Sequence, residues 1–228
     1  MRVLFAAPSH PESTWLFKAL QESAYSLQRA DDLRDSIFLA RHEAYDAIVT
    51  MTFDPARYAA LLGSLGELSA VGRGAAIIVL LGLAAAQDRA RVLRAGADAC
   101  FCQPYSFIEL HERMQALRRT ALSRAANVQP AAAPLLLDPL TRELVDGERR
   151  LAVTRREYLL LECLMRQFNA PVPRDQLTRY AWPETGDVDP SNVNLVVSRL
   201  RRKLTQHLPD VHVQTVNRYG YQLSTARR

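Results

Sequence analysis

One predicted helix, at residues 190–205, carries most of the side chains in this sequence that could bind a charged ligand. Its apolar face is formed, at helical spacing, by Val193, Val197, Leu200 and Leu204. Its remaining surface carries the candidate contact residues, which are Asn194, Leu195, Ser198, Arg199, Arg201 and Arg202. An arginine can donate two hydrogen bonds to a guanine base, and a leucine can contact a thymine methyl group. The helix is therefore predicted to read the major groove of double-stranded DNA.

The neighbouring elements favour that interpretation over a solvent-exposed amphipathic helix, which would show the same pattern. Two further helices are predicted at 155–168 and at about 173–181, the first opened by a capping box that starts at Thr154. Residues 211–223 alternate like a β-hairpin, with Arg218 near the tip of its turn. Three helices followed by a hairpin form a winged helix-turn-helix, whose hairpin can reach the neighbouring minor groove.

The charge of the chain divides unevenly between its two halves. Residues 1–122 hold 13 Lys/Arg and 13 Asp/Glu, whereas residues 123–228 hold 16 and 11, so the net charge of +5 lies in the second half. A basic half makes nucleic acid a candidate partner for that half alone. We predict a first domain at 1–120, an Ala- and Pro-containing linker at 121–134, and a DNA-binding domain at 135–228.

The first domain alternates apolar runs with helix-like stretches. The predicted strands are 3–7, 25–29, 46–51, 76–81 and 98–102, and one of the predicted helices between them is 56–66. Near-continuous apolar runs are typical of strands that are buried on both faces of a sheet. Five strand–helix pairs predict an α/β, flavodoxin-like domain, in which a five-stranded parallel sheet carries helices on both faces.

Composition excludes several classes of protein. The sequence has no apolar run of 18 residues and no secretory signal pattern, so a membrane span and secretion are not expected. Three cysteines, Cys100, Cys102 and Cys163, are too few for a disulfide scaffold and fit a cytoplasmic protein. No nucleophile–base arrangement, phosphate-binding loop or metal-ligand cluster is evident, so neither an enzyme nor a cofactor is predicted.

The C-terminal half carries an ordered set of motifs. They read VTRREYLLLECLM (153–165), PVPRDQLTRYAW (171–182), SNVNLVVSRLRRKL (191–204) and VQTVNRYGYQL (213–223). With these motifs, nearly the whole chain resembles the OmpR/PhoB family of two-component response regulators. The resemblance implies an N-terminal receiver domain and a C-terminal winged-helix domain that binds DNA and regulates transcription.

The resemblance also implies roles for individual residues. Leu195 and Arg199 match base-contacting positions, whereas Ser198, Arg201 and Arg202 match or flank phosphate-contacting ones. Residues 183–190 match the loop that faces RNA polymerase in the family. Asn217 and Arg218 stand where the wing of the family usually has Arg and Gly, so Arg218 would reach the minor groove from a shifted position.

The phosphorylation pocket of a receiver has no counterpart in this sequence. A receiver of this family uses an acidic pair, a phosphoacceptor aspartate, a hydroxyl and a lysine at the carboxyl ends of its strands. The matching positions are Ala7, Pro8, Met51, Leu81 and Gln103. A methionine cannot accept a phosphoryl group stably, and its sulfur is a poor Mg²⁺ ligand. The first domain is therefore predicted to be a pseudo-receiver that is not phosphorylated on aspartate and has no Mg²⁺ site.

The family dimerises through helix four, strand five and helix five of the receiver. The resemblance assigns to this interface Arg89, Arg91, Asp98, Glu109, Arg113 and Arg119. Cys100 replaces the usual aromatic switch residue. We therefore predict a homodimer that does not depend on phosphorylation and that binds tandem DNA half-sites.

Two alternatives remain open at this point. One is an adaptor, in which a partner protein, a small ligand near Met51 and Leu81, or a redox state controls the pseudo-receiver and DNA binding is secondary. The other is that the exposed charges of the predicted dimer face are ordinary solvated helix charges, since exposed ion pairs contribute only ~0–1 kcal/mol each.

Overall fold

The computed structural model describes residues 1–125, 135–183, 189 and 191–226. The chain divides into two compact units, Met1–Leu20 with Leu27–Gln129, and Gln21–Ser26 with Pro130–Arg228. No helix in the described part of the chain is both long enough and apolar enough to span a membrane.

The first unit is built on a five-stranded sheet. Its strands are β1 (Arg2–Ala6), β2 (Ser26–Ala30), β3 (Ala47–Thr52), β4 (Ala76–Leu81) and β5 (Ala99–Cys102), in the order β2-β1-β3-β4-β5. Its helices are α1 (Pro11–Glu22), α2 (Leu33–His42), α3 (Pro55–Val71), α4 (Ala86–Arg94) and α5 (Phe107–Ala125). Strand β1 pairs with β3, β3 with β4, and β4 with β5, and all three pairings are parallel. The predicted flavodoxin-like α/β fold is confirmed.

The central strands of this sheet are apolar because both of their faces are covered. Every residue of β3 and β4 is buried, as expected for strands that lie inside a parallel sheet. The helix after β3 begins where the sequence provides a cap: the Asp54 carboxylate accepts a hydrogen bond from the Ala56 N–H, and Pro55 occupies the first turn. That helix, α3, ends at Val71, five residues beyond the predicted 56–66.

The second unit combines helices with two small sheets. Its strands are β6 (Leu136–Asp138), β7 (Glu143–Asp146), β8 (Arg149–Ala152), β9 (Val172–Pro173), β10 (Val211–Val216) and β11 (Gly220–Thr225). Its helices are α6 (Arg155–Arg166), α7 (Arg174–Ala181) and α8 (Ser191–His207). Strands β6, β7 and β8 form an antiparallel sheet, and β11 pairs with both β10 and β9. The predicted winged helix-turn-helix is confirmed.

A buried carboxylate joins two of these helices. Glu157 closes the capping box of α6 by accepting from the Thr154 N–H at 2.8 Å, and it also receives Lys203 Nζ of α8 at 2.7 Å. Burial alone would raise the pKa of the Glu157 carboxyl, but the hydrogen bonds from Lys203 and Thr154 outweigh it and lower that pKa. The ion pair therefore fixes α8 against the start of α6.

Candidate DNA-binding surface and receiver pocket

Helix α8 buries the face that its sequence predicts. Val193, Val197, Leu200 and Leu204 are each at most 1% exposed. The start of the helix is fixed by Asp189, whose carboxylate accepts from the Ser191 N–H at 2.8 Å; this hydrogen bond lowers the pKa of Asp189. Because one stripe of the helix is anchored in the core, the opposite stripe is held outward on a rigid element.

Four of the predicted DNA-contacting residues lie on that outward stripe. Leu195 is 51% exposed. Ser198, Arg199 and Arg202 are also exposed. The two arginines have no hydrogen-bond or ion-pair partner among the described residues, so their guanidinium groups can bind an external acceptor.

Two other predicted contact residues instead hold the hairpin against α8. Arg201 donates from Nε to the Val213 carbonyl at 2.7 Å and from Nη2 to Thr215 Oγ1 at 2.8 Å. Asn194 accepts from the Tyr221 hydroxyl at 2.6 Å, and the Arg201 guanidinium lies 5.6 Å from the centre of the Tyr221 ring. The roles of Tyr221 and Thr215 could not be predicted, because the pattern of a single element does not reveal contacts between elements.

The turn between β10 and β11 presents Arg218 to solvent. Arg218 has φ 58°, in the left-handed region that favours glycine, and its side chain is exposed. Two residues later, Gly220 passes so close to the Val172 carbonyl that a β-carbon there would collide with the backbone. Gly220 thus sets the path of the hairpin, and Arg218 lies at its tip.

The carboxyl edge of the first unit's sheet is apolar at the predicted pocket positions. Ala7, Met51 and Leu81 are 3–5% exposed, Pro8 and Gln103 are half-buried, and these five residues follow or end β1, β3, β4 and β5. In the described residues, no group of three or more His, Cys, Asp or Glu side chains is placed to hold a metal ion.

The carboxylates on either side of Met51 in the sequence already have structural partners. Asp54 caps α3, as described above. Asp46 accepts a hydrogen bond from the Arg2 N–H at 2.6 Å and thereby joins the starts of β1 and β3. Neither carboxylate takes the place of an acceptor at position 51.

The predicted dimer face lies on α4, β5 and α5. Five of its six residues, Arg89, Arg91, Glu109, Arg113 and Arg119, are exposed helix residues, and Asp98 is exposed just before β5. An open groove of about 630 Å³ is lined by Asp98, Glu109, Arg113 and Arg119 among others.

Contacts within the chain already restrain part of this face. Asp98 accepts from the Ile77 N–H at 2.8 Å, and Arg113 donates to the Asp98 carbonyl at 3.0 Å. Arg91 lies 3.7 Å from Asp88, and Arg89 lies 3.9 Å from Cys102 Sγ. Burial raises the pKa of the neighbouring Cys100 thiol to about 11, which leaves little reactive thiolate near neutral pH.

Comparisons with known proteins agree with this architecture. The family described as "Transcriptional regulatory protein, C terminal" matches residues 147–223, which span β8 to β11. The transcriptional regulatory protein CusR of Escherichia coli K12 is 26% identical over 223 residues, covering 98% of this chain and 97% of the relative. The response regulator MprA of Mycolicibacterium vanbaalenii is 29% identical over 226 residues, covering 98% and 97%.

A similar solved structure comes from a family of streptococcal redox sensors that evolved from two-component response regulators. It is 22% identical, covers 99% of both chains and has a TM-score of 0.47. Residues 147–223 thus match the C-terminal domain of transcriptional regulatory proteins, and nearly the whole chain is similar to response regulators.

Proposed function

We propose that this protein regulates transcription by binding specific double-stranded DNA as a homodimer, without phosphorylation of an aspartate. The observation that carries the proposal is the outward stripe of α8, where Leu195, Ser198, Arg199 and Arg202 are exposed while the opposite stripe is buried.

Each exposed residue has a defined task in this proposal. Arg199 donates two hydrogen bonds to a guanine, and Leu195 packs against a thymine methyl group. Ser198 and Arg202 bind phosphates and thereby fix the register of α8 on the duplex. Arg218 enters the adjacent minor groove. Asn194 and Arg201 act through the hairpin that they hold, so they position the wing and do not read bases.

The regulatory part of the proposal rests on the apolar sheet edge. Acyl phosphate formation needs a carboxylate nucleophile, and Met51 supplies none. Dimerisation through α4, β5 and α5 is supported by the exposed charges of both signs along that face, chiefly Arg89, Glu109 and Arg119. A two-fold receiver pair would place two winged helices on tandem half-sites. Contact with RNA polymerase through residues 183–190 is part of the proposal, although 184–188 and 190 lie outside the described residues.

The decisive experiment is selection of genomic fragments by the purified protein, at about 150 mM salt and without a phosphodonor, because salt strongly weakens phosphate contacts. We expect one enriched motif in tandem repeat. Arg199→Ala should lose that enrichment, whereas a Lys18→Ala control on α1 should keep it. Equal enrichment by Arg199→Ala would contradict the proposed reading face.

Two further measurements test the regulatory part. Incubation with a radiolabelled small phosphodonor and Mg²⁺ should leave the protein unlabelled, and stable labelling would refute phosphorylation independence. Arg89→Glu should lower both the mass in solution and the cooperativity on tandem sites. An unchanged mass would refute the assigned dimer face.

The second candidate function is an adaptor whose pseudo-receiver is controlled by a partner, a small ligand or a redox state. The recess of about 510 Å³ beside Met51 favours control by a small ligand. The raised pKa of the Cys100 thiol disfavours control by a redox state. If Arg199→Ala preserved the regulatory effect in cells, the adaptor would be the better description.

A further inference from the structure

A recess at the carboxyl edge of the first unit's sheet lies on the α2 and α3 side of Met51. It has a volume of about 510 Å³, within the roughly 300–1,000 Å³ typical of small-molecule sites. Its walls include Ala7, Met51, Leu61, Arg34 and Arg57. Leu81, like Met51 a predicted pocket position, instead lines a separate recess of about 200 Å³.

The position of the larger recess is the one at which this topology binds ligands. In the order β2-β1-β3-β4-β5, the chain direction across the sheet reverses between β1 and β3. Parallel sheets leave a crevice at the carboxyl ends of the strands at such a point. The recess is lined by residues 6–8 at the end of β1 and by residues 50–52 at the end of β3.

The lining combines an apolar floor with charged residues at its rim. Ala7, Met51 and Leu61 are buried, whereas Arg34 and Arg57 are exposed and have no ion-pair partner among the described residues. The rim also carries Asp31 and Asp32. Asp32 Oδ1 is occupied because it accepts from the Asp35 N–H at 2.8 Å to cap α2.

We propose that this recess binds a small amphipathic anion, with its apolar body on the Met51 floor and its single carboxylate or sulfonate group between Arg34 and Arg57. The two rim aspartates would repel a compact multivalent anion, so inorganic phosphate is not the expected occupant. The proposal does not depend on DNA binding, because no residue of α8 takes part in it.

Two glycines of α3 provide a matched test of the site. Gly63 lines the recess and Gly66 does not, and a β-carbon at either position meets open space. Leucine is a better helix former than glycine, so neither Gly63→Leu nor Gly66→Leu should weaken α3. The Gly63→Leu side chain would occupy the recess, whereas the Gly66→Leu side chain would point elsewhere.

The probe is 8-anilinonaphthalene-1-sulfonate, an aromatic body with one sulfonate, titrated by fluorescence into the full chain. We expect binding at one site per chain, weakened at least about tenfold by Gly63→Leu and unchanged by Gly66→Leu. Thermal unfolding of both variants serves as the folding control. Absence of one-site binding to the wild type, or equal binding by the two glycine variants, would overturn the proposal.

A second comparison tests the charge at the rim. N-phenyl-1-naphthylamine has the same aromatic body without the sulfonate. Arg34→Gln and Arg57→Gln should each weaken sulfonate binding about two- to fivefold, the range for a partly exposed ion pair, and leave binding of the neutral probe unchanged. Equal losses for the two probes would overturn the assignment of an anionic ligand. DNA affinity should be normal in all four variants, so failure of this proposal is distinguishable from failure of the proposed function.

Discussion

Arg201→Ala and Arg199→Ala should change different properties of the protein, although both arginines lie on α8. Arg201 bonds two oxygens of β10 and packs over Tyr221, whereas Arg199 faces solvent. Arg201→Ala therefore removes contacts that hold the hairpin, and Arg199→Ala removes none within the chain. The first should lower the stability of the second unit, and the second should lower specific DNA affinity at unchanged stability.

The size of the stability effect follows from the contacts of Arg201. Each of its two hydrogen bonds contributes about 0.5–1.5 kcal/mol, and a partly exposed cation–π contact contributes about 0.5–1 kcal/mol. Their sum is about 1.5–4 kcal/mol. The Thr215 hydroxyl is exposed and can then bind water, so we expect a loss near the lower end of that range, about 2 kcal/mol. In a domain of this size, 1 kcal/mol shifts Tm by roughly 4–8 °C, so we expect a decrease of roughly 10 °C. An exposed substitution such as Arg199→Ala should stay within about 0.5 kcal/mol of the wild type.

Tryptophan fluorescence can report this unit separately. The chain has two tryptophans, Trp15 in the first unit and Trp182 in the second. Trp15 is 49% exposed, so Trp15→Phe should be tolerated and leaves Trp182, which lies 5.2 Å below the Arg156 guanidinium, as the probe. Urea unfolding in that background gives the stability of the second unit. DNA affinity measured at fixed salt should fall by about 1–3 kcal/mol for Arg199→Ala. Equal unfolding midpoints for Arg201→Ala and Arg199→Ala would refute the division of roles.

Three other predictions concern the second unit. Lys203→Met should destabilise the second unit at neutral pH by about 1–3 kcal/mol, because the buried Glu157 carboxylate loses its partner. The pKa of Glu157 is lowered in the folded protein, so its contribution to stability is present above the ordinary value of 4.5 and is lost as pH falls through the folded-state pKa. In acid titrations, the difference in unfolding free energy between the wild type and Lys203→Met should therefore narrow below pH 4.5. Arg218→Gly should raise the unfolding free energy by about 1 kcal/mol by relieving a left-handed φ, yet weaken DNA binding in the same preparation. Arg202→Gln should lower the slope of log affinity against log salt by about 1 with little change in sequence preference, and a change of preferred motif would contradict its phosphate role.

The sequence predicted the elements well because their periodicities reflect one-sided or two-sided burial. The stripe of Val193, Val197, Leu200 and Leu204 is buried as its spacing indicates, and the apolar runs of β3 and β4 form the interior of the sheet. Bounds were less accurate where internal glycines resemble a helix end: α3 continues beyond residue 66 to Val71 and ends at the Gly72 cap. Gly63 and Gly66 weaken the helical pattern of α3 without ending the helix.

Contacts between elements were beyond the reach of pattern analysis. Asn194 and Arg201 lie on the polar side of α8, next to Leu195 and Arg202 in the sequence, so helical periodicity does not separate them from the proposed DNA-contacting residues. Their attachment to the hairpin depends on the position of Tyr221, which follows the turn and is fixed by the pairing of β11 with β10 and β9. Polar residues that bind DNA and polar residues that bind the wing therefore look alike until the packing is known.

Met51 connects the proposed lack of phosphorylation with the proposed ligand site. A side chain at position 51 is almost fully enclosed, and an unpaired carboxylate buried there would need a metal ion or a cation to offset its desolvation. Methionine removes that requirement, because it buries an apolar chain worth about 1.5–3 kcal/mol. The neighbouring Asp46 and Asp54 cannot compensate, since each already stabilises a strand or a helix start. With Met51 as the floor, a ligand in the adjoining recess would be selected by apolar contact and by the arginines at the rim. The proposed absence of aspartate phosphorylation and the proposed binding of an amphipathic anion therefore depend on the same residue.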